Sequence, residues 1–168
     1  MKLKKIVSLI IQLALFIGIY ITIQFWQSKD MLNTKTEVPQ SQVLLKSVQT
    51  NKTQLLDLAD QKNKTLLYFF APWCQVCHLS VPNLVDLNKQ ALKDYKVVAV
   101  ALDYESTTSV KDFIAQHEVN FPVYYGDRGL QTIFRVSVYP SYYLIDRNGV
   151  VTDKVTGYTS EIGMKLRL

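Results

Sequence analysis

The stretch TLLYFFAPWCQVCHLSVPNL, residues 65–84, decides the fold of this chain. It begins with a continuous apolar run, residues 65–71, which predicts a strand buried on both faces of a sheet. Cys74 and Cys77 follow, and the residues after them have an apolar face that predicts a helix. A cysteine at the junction of a buried strand and a helix suits redox chemistry, because the helix N-terminus stabilises a thiolate.

The same letters permit a second chemistry, since Cys74 to His78 also match C-x-x-C-H, the attachment motif of a c-type haem. A haem needs a cavity lined by several elements and usually a second axial ligand. The other histidine, His117, lies in a charged helical segment, and the only late methionine is Met164. We therefore favour a redox dithiol and keep haem attachment as a minor alternative.

In the redox interpretation, Cys74 is the attacking thiol and Cys77, one helical turn later, resolves the mixed disulfide. A purely structural disulfide is a weak explanation, because so small a loop restrains the unfolded chain little. An alternative of another class is a Cu(I)-binding module formed by Cys74, Cys77 and His78, since soft Cu(I) suits thiolates. Against it, no third thiolate and no methionine-rich segment lies nearby.

The rest of the chain alternates strand and helix patterns. Apolar runs predict strands at 43–49, 96–102 and 121–125, and amphipathic patterns predict helices at 53–61, 107–118, 128–136 and near the C-terminus. Two β-rich runs flank Asn148–Gly149, which predicts a hairpin. Together these elements predict an α/β fold with a mixed sheet.

The N-terminus predicts an uncleaved membrane anchor, with a cleaved signal peptide as the less favoured alternative, because the apolar run is longer than a signal peptide needs. No charge occurs from Ile6 to Gln27, and this apolar run is close to the roughly 20 residues that a helix needs to cross a bilayer. The lysines before it favour a cytoplasmic N-terminus. We expect an anchor at 1–27, a linker at 28–42 and a globular domain at 43–168. The predicted location is the cytoplasmic membrane, single-pass, with the domain periplasmic or extracytoplasmic.

The net charge gives little information about partners. Lys2, Lys4 and Lys5 contribute +3 of the formal charge of +5, and the later basic residues are interspersed with acids. Without a basic stripe, nucleic-acid binding has no support.

The stretch 65–84, with Pro82 five residues after the second cysteine, resembles the active-site region of thioredoxin-fold proteins, and VSVYPSYYLID resembles their cis-proline segment. The resemblance covers 43–168. It implies a central mixed β-sheet flanked by helices, with Pro140 cis and opposite the dithiol. It also implies that the backbone of Tyr139 pairs with a substrate chain as an added strand.

The resemblance further implies supporting roles in the active site for Pro72 and for Trp73, which would cover the dithiol. It implies neither a metal nor an organic cofactor. The apolar N-terminus and the insertion at 107–127 resemble the membrane-anchored periplasmic branch that includes the TlpA, ResA and cytochrome c maturation thioredoxins. The C-terminal GYTSEIGMKLRL is similar to the tail of anchored thioredoxin-like proteins of the suppressor-of-copper-sensitivity type (ScsD-like).

These likenesses imply a periplasmic thiol-disulfide oxidoreductase that acts on protein thiols and disulfides. They imply a membrane-embedded electron donor and a role in thiol homeostasis or copper stress. The chain departs from the family at Tyr68, where thioredoxin has a buried acid, and at Ser80 and Ser141, where the cytochrome-specialised members often have glutamate. A general thiol function is therefore expected. Candidate proton-transfer groups are His78 and Asp103, with a solvated histidine and a turn-capping acid as the alternatives.

Overall fold

The computed structural model describes residues 2–90 and 94–168, without the side chains of 2–4, 20, 21 and 24–27. The chain divides into two compact units, Met1–Asp30 and Met31–Leu168. The first unit contains the helix α1 (Lys2–Ser28), in which the Thr22 hydroxyl donates to the Gly18 carbonyl.

The described part of α1 does not meet the requirement for a membrane span. Among the residues that the structure describes, no helix is long and apolar enough to cross a membrane. Our prediction took the whole run from Ile6 to Gln27 as one apolar segment. The predicted single-pass anchoring in the cytoplasmic membrane is therefore wrong.

The second unit contains strands and helices in alternation. The strands are β1 (Gln42–Ser47), β2 (Thr53–Asp57), β3 (Lys64–Phe70), β4 (Tyr95–Ala101), β5 (Val123–Tyr125), β6 (Ser141–Ile145) and β7 (Val151–Thr156). The helices are α2 (Gln75–Lys89), α3 (Thr107–Gln116), α4 (Arg128–Ile133) and α5 (Glu161–Lys165).

The strands form one seven-stranded sheet in the order β2-β1-β5-β4-β3-β6-β7. The central strands β3, β4 and β5 are parallel, whereas β1, β2, β6 and β7 pair antiparallel with their neighbours. Asn148–Gly149 forms the predicted turn between β6 and β7, and Gly149 has the positive φ of 83° that favours glycine there. The predicted α/β fold with a mixed sheet is confirmed.

The sheet is covered on both faces, and alternation along its central strands supplies both cores. In β3, Leu66, Tyr68 and Phe70 join the core formed with α2, α3 and α5. Leu67 and Phe69 of the same strand join the core on the other face, where α4 packs. β3 is buried on both faces, as expected of a central parallel strand. At its carboxyl end the chain passes over the edge of the sheet and enters α2.

Two local predictions differ from the structure. The segment from Thr53 is the strand β2, not a helix, because its backbone pairs antiparallel with β1 over the whole length of β2. The polar stretch 28–42, expected to be a linker, supplies Met31, Leu32 and Val38 to the core. The Leu32 N–H donates to the Tyr143 hydroxyl (3.0 Å), which in turn donates to the Phe134 carbonyl (2.7 Å).

Candidate active site

The dithiol lies where β3 passes into α2. β3 ends at Phe70, and α2 begins at Gln75 with Cys74 as its N-cap. Cys74 and Cys77 are joined in a disulfide, with their Cα atoms 5.2 Å apart. The Cys77 N–H donates to Cys74 Sγ across 3.1 Å, so this sulfur satisfies one of the backbone donors at the start of the helix. The predicted position of Cys74 at the end of a strand and the start of a helix is therefore observed.

The two cysteines differ in their access to solvent. Cys74 has 5 % of its surface exposed to solvent, whereas Cys77 has none and packs into the core on the inner side of α2. A disulfide or thiol of another molecule can therefore approach the dithiol at Cys74 before it can reach Cys77.

Trp73 connects the dithiol turn to two other parts of the site. Its indole Nε1 donates to the Asp103 carbonyl (2.7 Å), just beyond the end of β4. Its ring meets the Tyr139 ring edge to face, with centroids 5.9 Å apart. The Tyr139–Pro140 peptide bond is cis. Although 53 % of Trp73 is exposed, these contacts hold the indole beside Cys74 and next to the Tyr139–Pro140 segment.

Asp103 contacts Trp73 through its backbone carbonyl, and its carboxylate affects the pKa of Tyr139. It has a positive φ of 47°, and its carbonyl accepts the Trp73 hydrogen bond. Burial, with a smaller contribution from the Asp103 carboxylate, raises the pKa of Tyr139 to about 12. The Tyr139 hydroxyl also accepts a hydrogen bond from the Gln131 side chain (3.1 Å). Tyr139 is thus a neutral phenol at physiological pH, and Asp103 positions Trp73.

His78 is paired with His117, the C-cap residue of α3, which lies within the predicted helix 107–118. His78 Nδ1 lies 2.7 Å from His117 Nε2, and His78 Nε2 lies 2.9 Å from the Pro72 carbonyl oxygen. A carbonyl only accepts, so His78 Nε2 carries a proton and donates to Pro72. When both rings are neutral, His78 Nδ1 must therefore accept from His117 Nε2. His78 is not a freely solvated helix histidine, because both of its nitrogens are engaged.

Phe113 packs beside both histidine rings. Both rings contact Phe113 in tilted arrangements, with centroids 4.7 and 4.8 Å away. Partial burial, and then the proximity of His78, lower the pKa of His117. Sequence reasoning missed His117 and Phe113, since only the fold brings α3 to the start of α2.

Tyr68 occupies the position at which thioredoxin has a buried acid, and it is completely buried in β3. Burial raises the pKa of its phenol well above the ordinary value, while the nearby Ser80 hydroxyl opposes this effect in part. The site therefore has a neutral hydroxyl at this position in place of a carboxylate. Proton transfer to and from the dithiol must use other groups or water.

A disulfide at the N-cap of a helix, at the carboxyl edge of a mixed sheet and beside a cis-proline segment defines the thioredoxin-like class of proteins. Comparison with known proteins agrees with this class. The Redoxin family model matches residues 33–165. A thioredoxin-like protein of Haemophilus influenzae is 31 % identical over 76 % of this chain and 74 % of its own length.

The chain belongs to the Redoxin family. It is also similar to the thiol-disulfide oxidoreductase ResA of Bacillus cereus, with 29 % identity over 79 % of this chain and 75 % of that protein. The crystal structure of StoA from Bacillus subtilis has the same fold, with a TM-score of 0.68, 21 % identity, and coverage of 79 % of this chain and 98 % of StoA. The predicted thioredoxin-like fold is confirmed, and the protein is a thiol-disulfide oxidoreductase with Cys74–Cys77 as its cysteine pair.

Proposed function

We propose that the protein reduces disulfide bonds in other proteins, with Cys74 as the attacking thiol and Cys77 as the resolving thiol. The observation that carries this proposal is the position of Cys74 Sγ, which caps α2 and accepts the Cys77 N–H. After reduction, the same N–H and the positive end of the helix favour the thiolate form of Cys74. The complete burial of Cys77 suits a thiol that meets only a disulfide already formed at Cys74.

The proposed cycle transfers two electrons. The Cys74 thiolate attacks one sulfur of the substrate disulfide, a mixed disulfide forms, and the first substrate thiolate leaves and takes up a proton. Cys77, after losing its proton, attacks Cys74 Sγ, so that the Cys74–Cys77 disulfide forms and the second substrate thiolate leaves. The protein is oxidised and the substrate reduced. An external dithiol, oxidised in exchange, must then reduce the pair for the next cycle.

The residues around the dithiol have proposed supporting roles. Tyr139 offers its backbone, beside the cis bond to Pro140, for strand-like pairing with the substrate chain. Trp73, fixed by its bond to Asp103, limits the directions from which a substrate reaches Cys74. The Pro72 carbonyl, which accepts from His78, fixes the turn that presents Cys74.

Reduction of insulin by the full-length protein with a dithiol donor tests this proposal. We expect Cys74→Ser to abolish turnover, because the serine hydroxyl is no nucleophile toward a disulfide under these conditions. Cys77→Ala should form a stable mixed disulfide between Cys74 and its substrate, visible by non-reducing electrophoresis and mass spectrometry. Turnover that survives Cys74→Ser would overturn the assignment of the attacking thiol.

The physiological setting is part of the proposal. A general role in thiol homeostasis, including copper stress, is supported by the likeness of the C-terminal sequence noted above. The membrane-embedded electron donor stays a prediction. A measured reduction potential of the Cys74–Cys77 pair, well below that of glutathione, would support the reducing direction, whereas a strongly oxidising potential would contradict it.

Cu(I) binding is the alternative function. The two sulfurs lie close enough for both thiolates to hold one Cu(I) after reduction. In the described ranges 2–90 and 94–168, no cluster of three or more His, Cys, Asp or Glu side chains suits a metal ion. His78 would also have to give up its bonds to Pro72 and His117 to act as a third ligand. Stoichiometric Cu(I) binding by reduced protein that lacks exchange activity would favour this alternative.

Haem attachment is the minor alternative, and it demands larger changes. Both cysteines would be consumed as thioethers, and His78 Nε2 would have to leave the Pro72 carbonyl to bind iron. A Soret absorption band in protein produced together with the haem-attachment machinery would support this alternative, and its absence would remove it.

A further inference from the structure

A cleft of about 320 Å³ lies beside the dithiol turn. One wall comes from that turn and the start of α2, and the other comes from α3 and the loop before it. Its lining includes Pro72, Trp73, His78, Glu105, Asp112 and Phe113. Because Pro72 and Trp73 directly precede Cys74, a polypeptide whose cysteine reaches Cys74 has its neighbouring side chains within reach of the cleft.

The apolar surfaces of this cleft are fixed before anything binds. Phe113 is buried, stacks on Phe70 (4.6 Å between centroids) and meets the His78 ring in a tilted contact (4.7 Å). Trp73 is held by its bond to the Asp103 carbonyl and by its edge-to-face contact with Tyr139. A surface that is already ordered loses little entropy when it binds a ligand.

The charge of the cleft is acidic. Glu105 and Asp112 are exposed at its margin, and the lining contains no lysine or arginine. Within the described part of the chain, no salt bridge occupies either carboxylate. The Nε2 proton of His78 is directed to the Pro72 carbonyl. The lowered pKa of His117 favours the neutral ring.

We propose that this cleft binds a lysine or arginine side chain of the substrate polypeptide, located within a few residues of the cysteine that Cys74 attacks. The inference rests on the proposed function as a reductase of protein disulfides. The aliphatic part of the side chain packs against the exposed indole of Trp73, while its charged end reaches Glu105 and Asp112. The indole face of Trp73 adds a favourable interaction with the cation. An acidic side chain at the same place would face two carboxylates.

Matched peptides test this preference. Each peptide has one cysteine in a mixed disulfide with thionitrobenzoate, and the residue two positions from that cysteine is lysine, norleucine or glutamate. The Cys74 thiolate attacks the peptide sulfur and thionitrobenzoate leaves, so the release of its colour reports the rate. With reduced full-length protein at low salt, we expect the lysine peptide to react about three- to tenfold faster than the glutamate peptide, with norleucine between them. Added salt should reduce this ratio.

Two double variants separate the cleft from the overall charge. Glu105→Gln with Asp112→Asn should bring the ratio of the lysine rate to the glutamate rate toward one. Asp86→Asn with Asp94→Asn makes the same change in net charge at exposed sites outside the cleft, and should keep the ratio of the unaltered protein. Asp94 precedes β4, at the sheet edge opposite the dithiol.

The outcomes distinguish this inference from the proposed function. Equal rates for all three peptides would overturn the cleft as a binding site while leaving disulfide reduction intact. An equal loss of preference in both double variants would also overturn it, because charge anywhere on the molecule would then suffice. If none of the peptides is reduced, the proposed function fails and the inference fails with it.

Discussion

The pairing of His78 with His117 predicts a specific loss of stability in mild acid. The pKa of His117 is lowered in the folded protein by burial and by its neighbour, so the unfolded chain takes up a proton at higher pH than the folded one. Stability is therefore full above the unfolded pKa of about 6.5 and falls as the pH decreases toward the folded pKa. One proton gives at most about 1.4 kcal/mol per pH unit. Because His117 is only partly buried, we expect about 0.5 kcal/mol per unit.

The matched variant is His117→Gln, whose amide also donates to His78 Nδ1 but does not titrate. The measurement is the free energy of unfolding of the oxidised protein, obtained from urea denaturation followed by circular dichroism between about pH 7.5 and 5.5. Other acids and bases, including Glu105 and Asp112 in the adjacent cleft, are common to both proteins and largely cancel in the difference. The free energy of unfolding of the unaltered protein, relative to that of His117→Gln, should decrease as the pH falls. A difference that stays constant over this range would refute a desolvated His117.

Three further predictions test the packing and the site, the first with a control substitution on the same helix. Leu84→Ala, at a fully buried position of α2, should cost about 3–5 kcal/mol in urea denaturation, whereas Leu79→Ala, exposed on the same helix, should cost under about 0.5 kcal/mol. Trp73→Phe keeps a ring beside Cys74 but loses the bond to the Asp103 carbonyl, and should slow insulin reduction up to about tenfold; an unchanged rate would show that this bond does not position the site. Gly126→Ala places a methyl group 2.6 Å from two aliphatic side chains at the end of β4, and should lower the free energy of unfolding by about 1–3 kcal/mol; no loss would show that the core adjusts there.

The sequence predicts the central strands and the last hairpin because burial and turn geometry there depend on adjacent residues. The apolar run of β3 reflects burial on both faces, and Asn148–Gly149 suits the turn that closes β6 onto β7. The segment at Thr53 failed because TQLLDLADQ is compatible with a helix or a strand when taken alone. Antiparallel hydrogen bonds to β1 favour the strand, and the sequence contains no local signal for a partner strand.

In the active site, too, the residues of short motifs were predictable and the residues that only the fold brings together were not. Cys74, Cys77 and Pro140 belong to motifs whose spacing is fixed within a few residues, and the sequence locates them. His117 is 39 residues from His78, and Glu105 and Asp112 flank the same cleft only because α3 packs near the start of α2. The engagement of both nitrogens of His78 was also not predictable, since it depends on one backbone carbonyl and one distant ring.

The segment that begins at Met31 has a practical consequence for preparing the domain by recombinant expression. Met31, Leu32 and Val38 are buried among the side chains of β1, β3 and β6, and the Leu32 N–H bonds to the Tyr143 hydroxyl. A shortened protein that starts at residue 43 would expose the apolar surface these side chains cover and leave that hydroxyl with one bond fewer. A shortened protein should therefore start at residue 31 or earlier if it is to remain monodisperse during purification.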